Sequence, residues 1–308
     1  MTETKTEPDT GRRDCAVFVT HVWGPQIATH YERLKREAAP ILDVFLAFQQ
    51  GDDEAAVPAG MTPDLVVRMA DSAAHFPLRY QEYLQRSSPW GYVDLVWMTA
   101  FLDPRLGAYD RFWLVEYDVD FSGNWSSFFG AAASYEGDLL ATRLRPLSAD
   151  PGFYFTSIYE QPQAAPDDPL IAFMPISRLS RQLIDHYRTR LLQVGWCGHF
   201  EMVLPSLARL GGYSIAEIGG YDALVPPERR GLHYDGTFED LLTTRSTHAY
   251  RPPRAFSYFV QSPRKFRQRN RIYHPVKVGW SLNQRLRPYW LPALQRLRAL
   301  SRRLRGKA

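Results

Sequence analysis

Between Phe112 and Trp125 the chain reads FWLVEYDVDFSGNW, and three carboxylates occupy alternate positions in it: Glu116, Asp118 and Asp120. In an extended strand, residues two apart project from one face, so this spacing predicts three acids side by side at the end of the apolar run Phe112 to Val115. Carboxylates held that close repel one another, and a divalent cation bound among them neutralises the charge. The alternative is an acidic strand end turned into water. The Ser-Gly-Asn that follows marks the turn where the strand gives way.

Other elements must hold such a strand end in place. Cys15 to Thr20, CAVFVT, predicts a first buried strand, followed by the loop HVWGPQ and a helix over 27–39 with Tyr31, Leu34 and Ala38 at helical spacing. Ile41 to Phe48 predicts a second strand, and strand, helix, strand in this order opens a parallel α/β sheet. Ligands of such sheets sit beyond the carboxyl ends of the strands. Thr20 and His21 are therefore candidates to line a nucleotide pocket, with a plain loop role open as well. The acidic, small-residue stretch Gly51 to Gly60 predicts an exposed loop, and Asp64 to Asp71 a short helix or strand. Trp90 to Leu102 predicts a helix ahead of the acidic strand, and after it come a helix over Trp125 to Tyr135 and a strand over Asp138 to Leu144. Asp150 to Pro169, rich in proline and aromatic residues, predicts a long connection of the kind that often serves a site. Ile171 to Pro175 is apolar, and Arg178 to Gln193 predicts a helix. Another helix is predicted to start near His199 and end at Gly211 and Gly212, with Pro205 kinking or breaking it. Tyr213 to Ile218 predicts one more strand.

The chain has 308 residues, 45% of them hydrophobic and 14% aromatic, which argues for a folded globular protein with a sizeable core. Two cysteines, Cys15 and Cys197, are too few for a disulfide scaffold and fit a reducing compartment. No apolar run approaches the roughly 20 residues that span a bilayer, and residues 1–14 are polar and predicted to be disordered, without an apolar signal core. These features place the protein in the cytoplasm. The net charge of +4 conceals a division: 17 of the 37 basic residues lie from Arg245 onward, where no Asp or Glu occurs beyond Asp240. Residues 1–240 thus carry a net charge of −13, and the basic end is suited to an anionic partner.

The order of these features resembles that of the GT-A glycosyltransferases, and the local texture resembles a group of uncharacterised bacterial proteins placed near them. The residues that carry the resemblance are VFVTHVWG, WLVEYDVDF and GHFEMVLPSL, and it extends over roughly Cys15 to Lys277. It implies an α/β fold of GT-A type, Rossmann-related, with a mostly parallel central sheet flanked by helices and a basic helical tail. It divides the chain into residues 1–14, a nucleotide-sugar transferase domain over 15–250 and a basic extension over 251–308. The implied cofactor is Mn²⁺ or Mg²⁺, bridging the phosphates of a nucleoside diphosphate sugar donor and stabilising charge as the sugar leaves. Asp120 would be a direct metal ligand and Asp118 would hold the ribose or a metal-bound water, with Glu116 the alternative ligand. Glu201 would be the base of an inverting transfer, or else a first-turn acid that stabilises its helix. A late histidine would add a metal contact and a nearby cation would face the leaving diphosphate. His274 with Lys277 fits that pairing, with His233 and Asp235 second. The remaining histidines show no zinc-site spacing, which weighs against a zinc hydrolase.

From Asn283 to Ala308 a basic helix is predicted, with Leu294, Leu297, Leu300 and Leu304 on one face and Tyr289 and Trp290 at its head. Such a helix suits an anionic membrane surface, or could dock on the acidic body of the same chain; no recognition motif points to nucleic acid. Two readings follow. One is a metal-dependent glycosyltransferase acting on a hydroxyl of a glycan or lipid-linked acceptor, peripheral on the inner face of the membrane. The other is a non-catalytic protein of the same fold that binds a membrane or partner through its tail.

Overall fold

The chain is described from a computed structural model, which covers residues 13–51, 56–86, 91–150, 167–193, 198–236, 246–249, 257–266 and 268–277. It opens with strand β1 (Asp14–Thr20), helix α1 (Pro25–Ala38) and strand β2 (Asp43–Gln50). β1 and β2 run parallel, with Cys15 opposite Asp43 and Thr20 opposite Phe48, the unit foreseen from the sequence. Pro at the start of α1 is tolerated because the first helical N–H has no intrahelical acceptor to lose. Next come β3 (Leu65–Arg68), α2 (Pro77–Arg86), α3 (Asp94–Phe101) and β4 (Arg111–Glu116). These are followed by β5 (Asp120–Phe121), α4 (Trp125–Ala133), β6 (Leu139–Pro146), β7 (Leu170–Ser180), α5 (Arg181–Gln193), α6 (Phe200–Leu210), β8 (Ile215–Glu217) and β9 (Ile272–Tyr273).

Seven strands form one sheet in the order β3-β2-β1-β4-β7-β6-β8, and β5 pairs with β9 apart from it. β7 runs antiparallel to β4 and to β6, while the other neighbours are parallel. This is a mixed, mostly parallel α/β sheet flanked by helices, consistent with a GT-A-like fold. Parallel strands covered on both faces read as continuous apolar runs, and β1 and β4 are buried along nearly their whole length. Alternate residues serve opposite layers. Cys15, Val17, Phe112 and Leu114 pack with residues of α3, α5 and α6, whereas Ala16, Phe18, Trp113 and Val115 pack with residues of α1 and α4.

Several expectations change. The acidic segment is not one extended strand. β4 stops at Glu116, Val119 N–H closes a turn onto the Glu116 carbonyl at 2.9 Å, and the chain re-extends as β5 to pair with β9. Alternate residues in a turn do not share a face, so the three acids do not line up. The helix expected from Arg178 begins at Arg181, because Arg178 and Leu179 pair with Trp113 and Phe112 of β4 at the end of β7. Asp64 to Asp71 resolves into β3 and the start of a 3-10 turn at Met69–Ala74, and α6 continues through Pro205 as one helix. α2 had no counterpart in the sequence reading. The predicted tail helix and most of the connection after Asp150 lie outside the described residues.

Candidate metal centre

β4 delivers Glu116 to the carboxyl end of the parallel strands, and the turn after it presents Asp118 beside it. The third component comes from far along the chain. Asp120 pairs with Tyr273 in the β5–β9 ladder, so His274 emerges next to the turn, and Val276 N–H donates to the Asp118 carbonyl at 2.7 Å. His274 is fixed on its other side as well. Its backbone N–H donates to Thr247 O and its carbonyl accepts from Ala249 N–H, each at 3.0 Å.

Ligand atoms of Glu116, Asp118 and His274 lie within 4.8 Å of one another. His274 Nδ1 lies 2.8 Å from the Ala249 carbonyl, a bond in which the ring must donate, so in the neutral ring Nε2 carries the lone pair. Nε2 lies 3.5 Å from Asp118 Oδ1, and the Lys277 ammonium 3.2 Å from Asp118 Oδ2. Asp118 Oδ1 is buried and accepts no hydrogen bond. A buried carboxylate oxygen without a donor is costly, and a cation is the partner that would satisfy it. The two carboxylates suit a hard divalent cation such as Mn²⁺ or Mg²⁺, and the imidazole is a ligand that transition ions take more readily than Mg²⁺ does.

Electrostatics separate the two acids. Burial, reinforced by Asp118 and Glu201 and opposed by His274 and Lys277, pushes Glu116 up to about 8. Burial works against ionised Asp118 too, but His274 and Lys277 outweigh it and hold that carboxyl down to about 2. The opposing shifts are those of two carboxylates that share one site.

Asp120 is not brought into this group. Its Oδ1 accepts from Arg33 Nη1 at 2.8 Å and from Phe121 N–H at 2.7 Å, and its Oδ2 accepts from Phe259 N–H at 2.7 Å. His30 stands beside it, with Nε2 2.8 Å from the Val119 carbonyl. Asp120 thus ties α1, the acidic turn and the segment around Phe259 together. His30 and Arg33 carry no signal in the sequence beyond their place on the buried side of α1.

Glu201 sits in the first turn of α6, with its backbone N–H donating to Nδ1 of the capping His199 at 3.3 Å. Its carboxylate is buried, accepts from Met174 N–H at 2.9 Å, and burial pushes it up to about 8. Its charge also acts on Glu116, so the two sit in one electrostatic neighbourhood. His21 is exposed just past β1 with its ring edge-on to Tyr117, 5.1 Å between centroids, and Lys277 stands over the same Tyr117 ring at 5.7 Å. Tyr117 escaped the sequence reading, although its place between two acids could have marked it. Thr20 is buried, and its hydroxyl closes a tight turn with Val22.

His233 is placed elsewhere. It packs on Phe128 and bonds the Tyr135 hydroxyl at 2.6 Å, and burial, aided by Arg271 and Arg229, lowers it to about 4. Asp235 accepts from Gln268 and from Thr247 N–H through its own carbonyl. Neither belongs to the group around Asp118.

No family model and no curated protein matches the chain. Among solved structures, the mannosyltransferase Ktr4p from S. cerevisiae is similar at 11% identity with a TM-score of 0.35, over 68% of this chain and 70% of that one. The same mannosyltransferase in complex with GDP is similar at 10% identity with a TM-score of 0.33, over 68% and 71% of the two chains. The relation is distant.

Proposed function

We propose that the chain is a divalent-metal-dependent glycosyltransferase that moves a sugar from a nucleoside diphosphate donor to an acceptor hydroxyl. The observation that carries this reading is the clustering of Glu116, Asp118 and His274 ligand atoms within 4.8 Å of one another at the carboxyl end of the parallel strands, with the buried Oδ1 of Asp118 accepting no hydrogen bond. Glu116, Asp118 and His274 hold the cation. When bound, Mn²⁺ or Mg²⁺ supplies positive charge to the diphosphate as the glycosidic bond breaks.

The chain's own groups do the rest. The Lys277 ammonium, partly exposed beside Asp118, faces the departing phosphates and offsets their charge. His21 and Tyr117 offer an aromatic surface for the nucleotide next to the metal ligands. Glu201 is the base that accepts the acceptor's hydroxyl proton in an inverting transfer; because burial raises its carboxyl to about 8, only the ionised fraction serves as base, and transfer should rise with pH toward that value. Asp120 acts as a structural anchor, and direct ligation falls to Glu116. The acceptor is a glycan or a lipid-linked sugar, met at an anionic membrane surface through the basic end of the chain. No helix among the described residues is long and apolar enough to cross a membrane.

The test is thermal stabilisation against a panel of nucleotide sugars with and without Mn²⁺. One nucleoside diphosphate should stabilise the protein only with metal, and Asp118→Ala should abolish the effect. No shift with any nucleotide would sink the proposal.

A further inference from the structure

α2 carries a pair of charged residues that converge on one residue of another segment. Gly198 N–H donates to Glu82 Oε1 at 2.8 Å, and the Gly198 carbonyl accepts from Arg79 Nη1 at 3.1 Å. Gly198 is therefore gripped at both of its polar groups. It is held at φ +111°, where side-chain-bearing residues are rarely found. The next residue, His199, caps α6 and receives Glu201 N–H, and the Glu201 carboxylate receives Met174 N–H.

The grip is itself anchored. Arg79 binds Asp94 through Nε at 2.7 Å and Nη2 at 3.2 Å, and the Tyr187 hydroxyl donates to the same carboxylate at 2.7 Å. Tyr92 donates to Glu82 Oε1 at 2.6 Å. α2, α3 and α5 thus meet at a fully buried ion pair. Apolar side chains would join three helices without the desolvation cost of buried charges. What the charged pair provides in addition is a fixed path from α2 to the start of α6.

We propose that Arg79 and Glu82 are positioning residues for the Glu201 carboxyl group, acting through Gly198 and the His199 cap. The consequence for turnover rests on the reading of Glu201 as the base; the positional claim does not. Met174 N–H reports the position directly, because its acceptor is the Glu201 carboxylate.

Backbone amide exchange on the full chain, paired with transfer kinetics, tests this. In Glu82→Ala, Met174 exchange should accelerate about tenfold or more while amides of the β1–β4 ladder keep their rates. A displaced catalytic group can cost on the order of 10²-fold in rate, so kcat should fall steeply with KM for the donor unchanged. Glu82→Gln, which keeps an acceptor for Gly198 N–H, should restore Met174 protection and kcat. Gly198→Ala, which strains the same backbone without altering α2, should speed Met174 exchange too, and it serves if Glu82→Ala does not fold. Unchanged Met174 exchange in these variants overturns the proposal, as does a uniform rise across all strands, which would mean general loosening. If Glu201→Gln retained full transfer, the base assignment would fail, and Met174 exchange would still decide the positional claim.

Discussion

Arg33 Nη1 lies 2.8 Å from Asp120 Oδ1, a contact between completely or almost completely buried side chains that joins α1 to the acidic turn. The same guanidinium reaches the Phe121 carbonyl at 2.9 Å, so it organises the path of the backbone just beyond Asp118.

Asp120→Ala should therefore act on stability. The loss takes one of two carboxylate partners from the buried Arg33, Glu37 remaining at 3.0 Å, and leaves the Phe121 and Phe259 N–H groups without their acceptor, at about 1–3 kcal/mol for each stranded buried donor, to be read as a lower denaturant midpoint. Mn²⁺ affinity of the folded protein, measured by calorimetry, should change little. Asp118→Ala should reverse the pattern, with metal binding lost and the midpoint nearly unchanged.

Metal affinity should depend on pH through Glu116. Burial first, then Asp118 and Glu201, raise this carboxyl to about 8, so at neutral pH the metal must displace its proton. The dissociation constant for Mn²⁺ should fall by about tenfold for each pH unit gained up to about 8 and then level off. Calorimetry at neutral pH in buffers of different ionisation enthalpy should detect about one proton released per metal.

Glu201→Gln should lower transfer on the order of 10²–10⁴-fold, the usual contribution of a positioned base. It should also raise stability selectively. Burial lifts this carboxyl in the folded protein to about 8, so between the ordinary Glu value and about 8 the folded state holds the extra proton. Wild-type stability then declines as pH rises through that window. Unfolding of the two proteins should show the Gln variant more stable at pH 9, with the gap closing at pH 4.

His274→Ala should weaken Mn²⁺ binding by more than the roughly 10–100-fold that loss of an outer-shell partner costs. His233→Ala should leave metal binding intact and lower the melting temperature, since it removes a bond to Tyr135 and a contact with Phe128.

Local pattern makes much of this fold legible in the sequence. β1, α1, β2 and the apolar approach to Glu116 follow from apolar runs and helical spacing, and the end of α6 from the paired Gly211 and Gly212. Glu116, Asp118, His274 and Lys277 were each identified as candidates from the sequence and its family resemblance, and the structure places them together. What could not be read was long-range pairing. Arg33 claims Asp120 across 87 positions, and nothing near either residue signals it. The helical spacing of Leu179, Leu183, Ile184, Tyr187 and Leu191 extends the expected helix back to Arg178, yet Arg178 lies buried in β7 with its guanidinium bonded to the Ala132 carbonyl. The turn at Tyr117 depends on β9, whose two residues are too few to show a period.

The two-stranded ladder of β5 and β9 also sets an order of assembly. Every strand of the large sheet lies between Asp14 and Glu217, so all seven can emerge from the ribosome before Ile272 is made. Domains fold as the chain is synthesised from its N-terminus, and at that stage Glu116 and Asp118 would stand without His274 and Lys277. A nascent chain could thus have its sheet and still lack the full candidate cation group, which is completed only when the late segment returns to the centre.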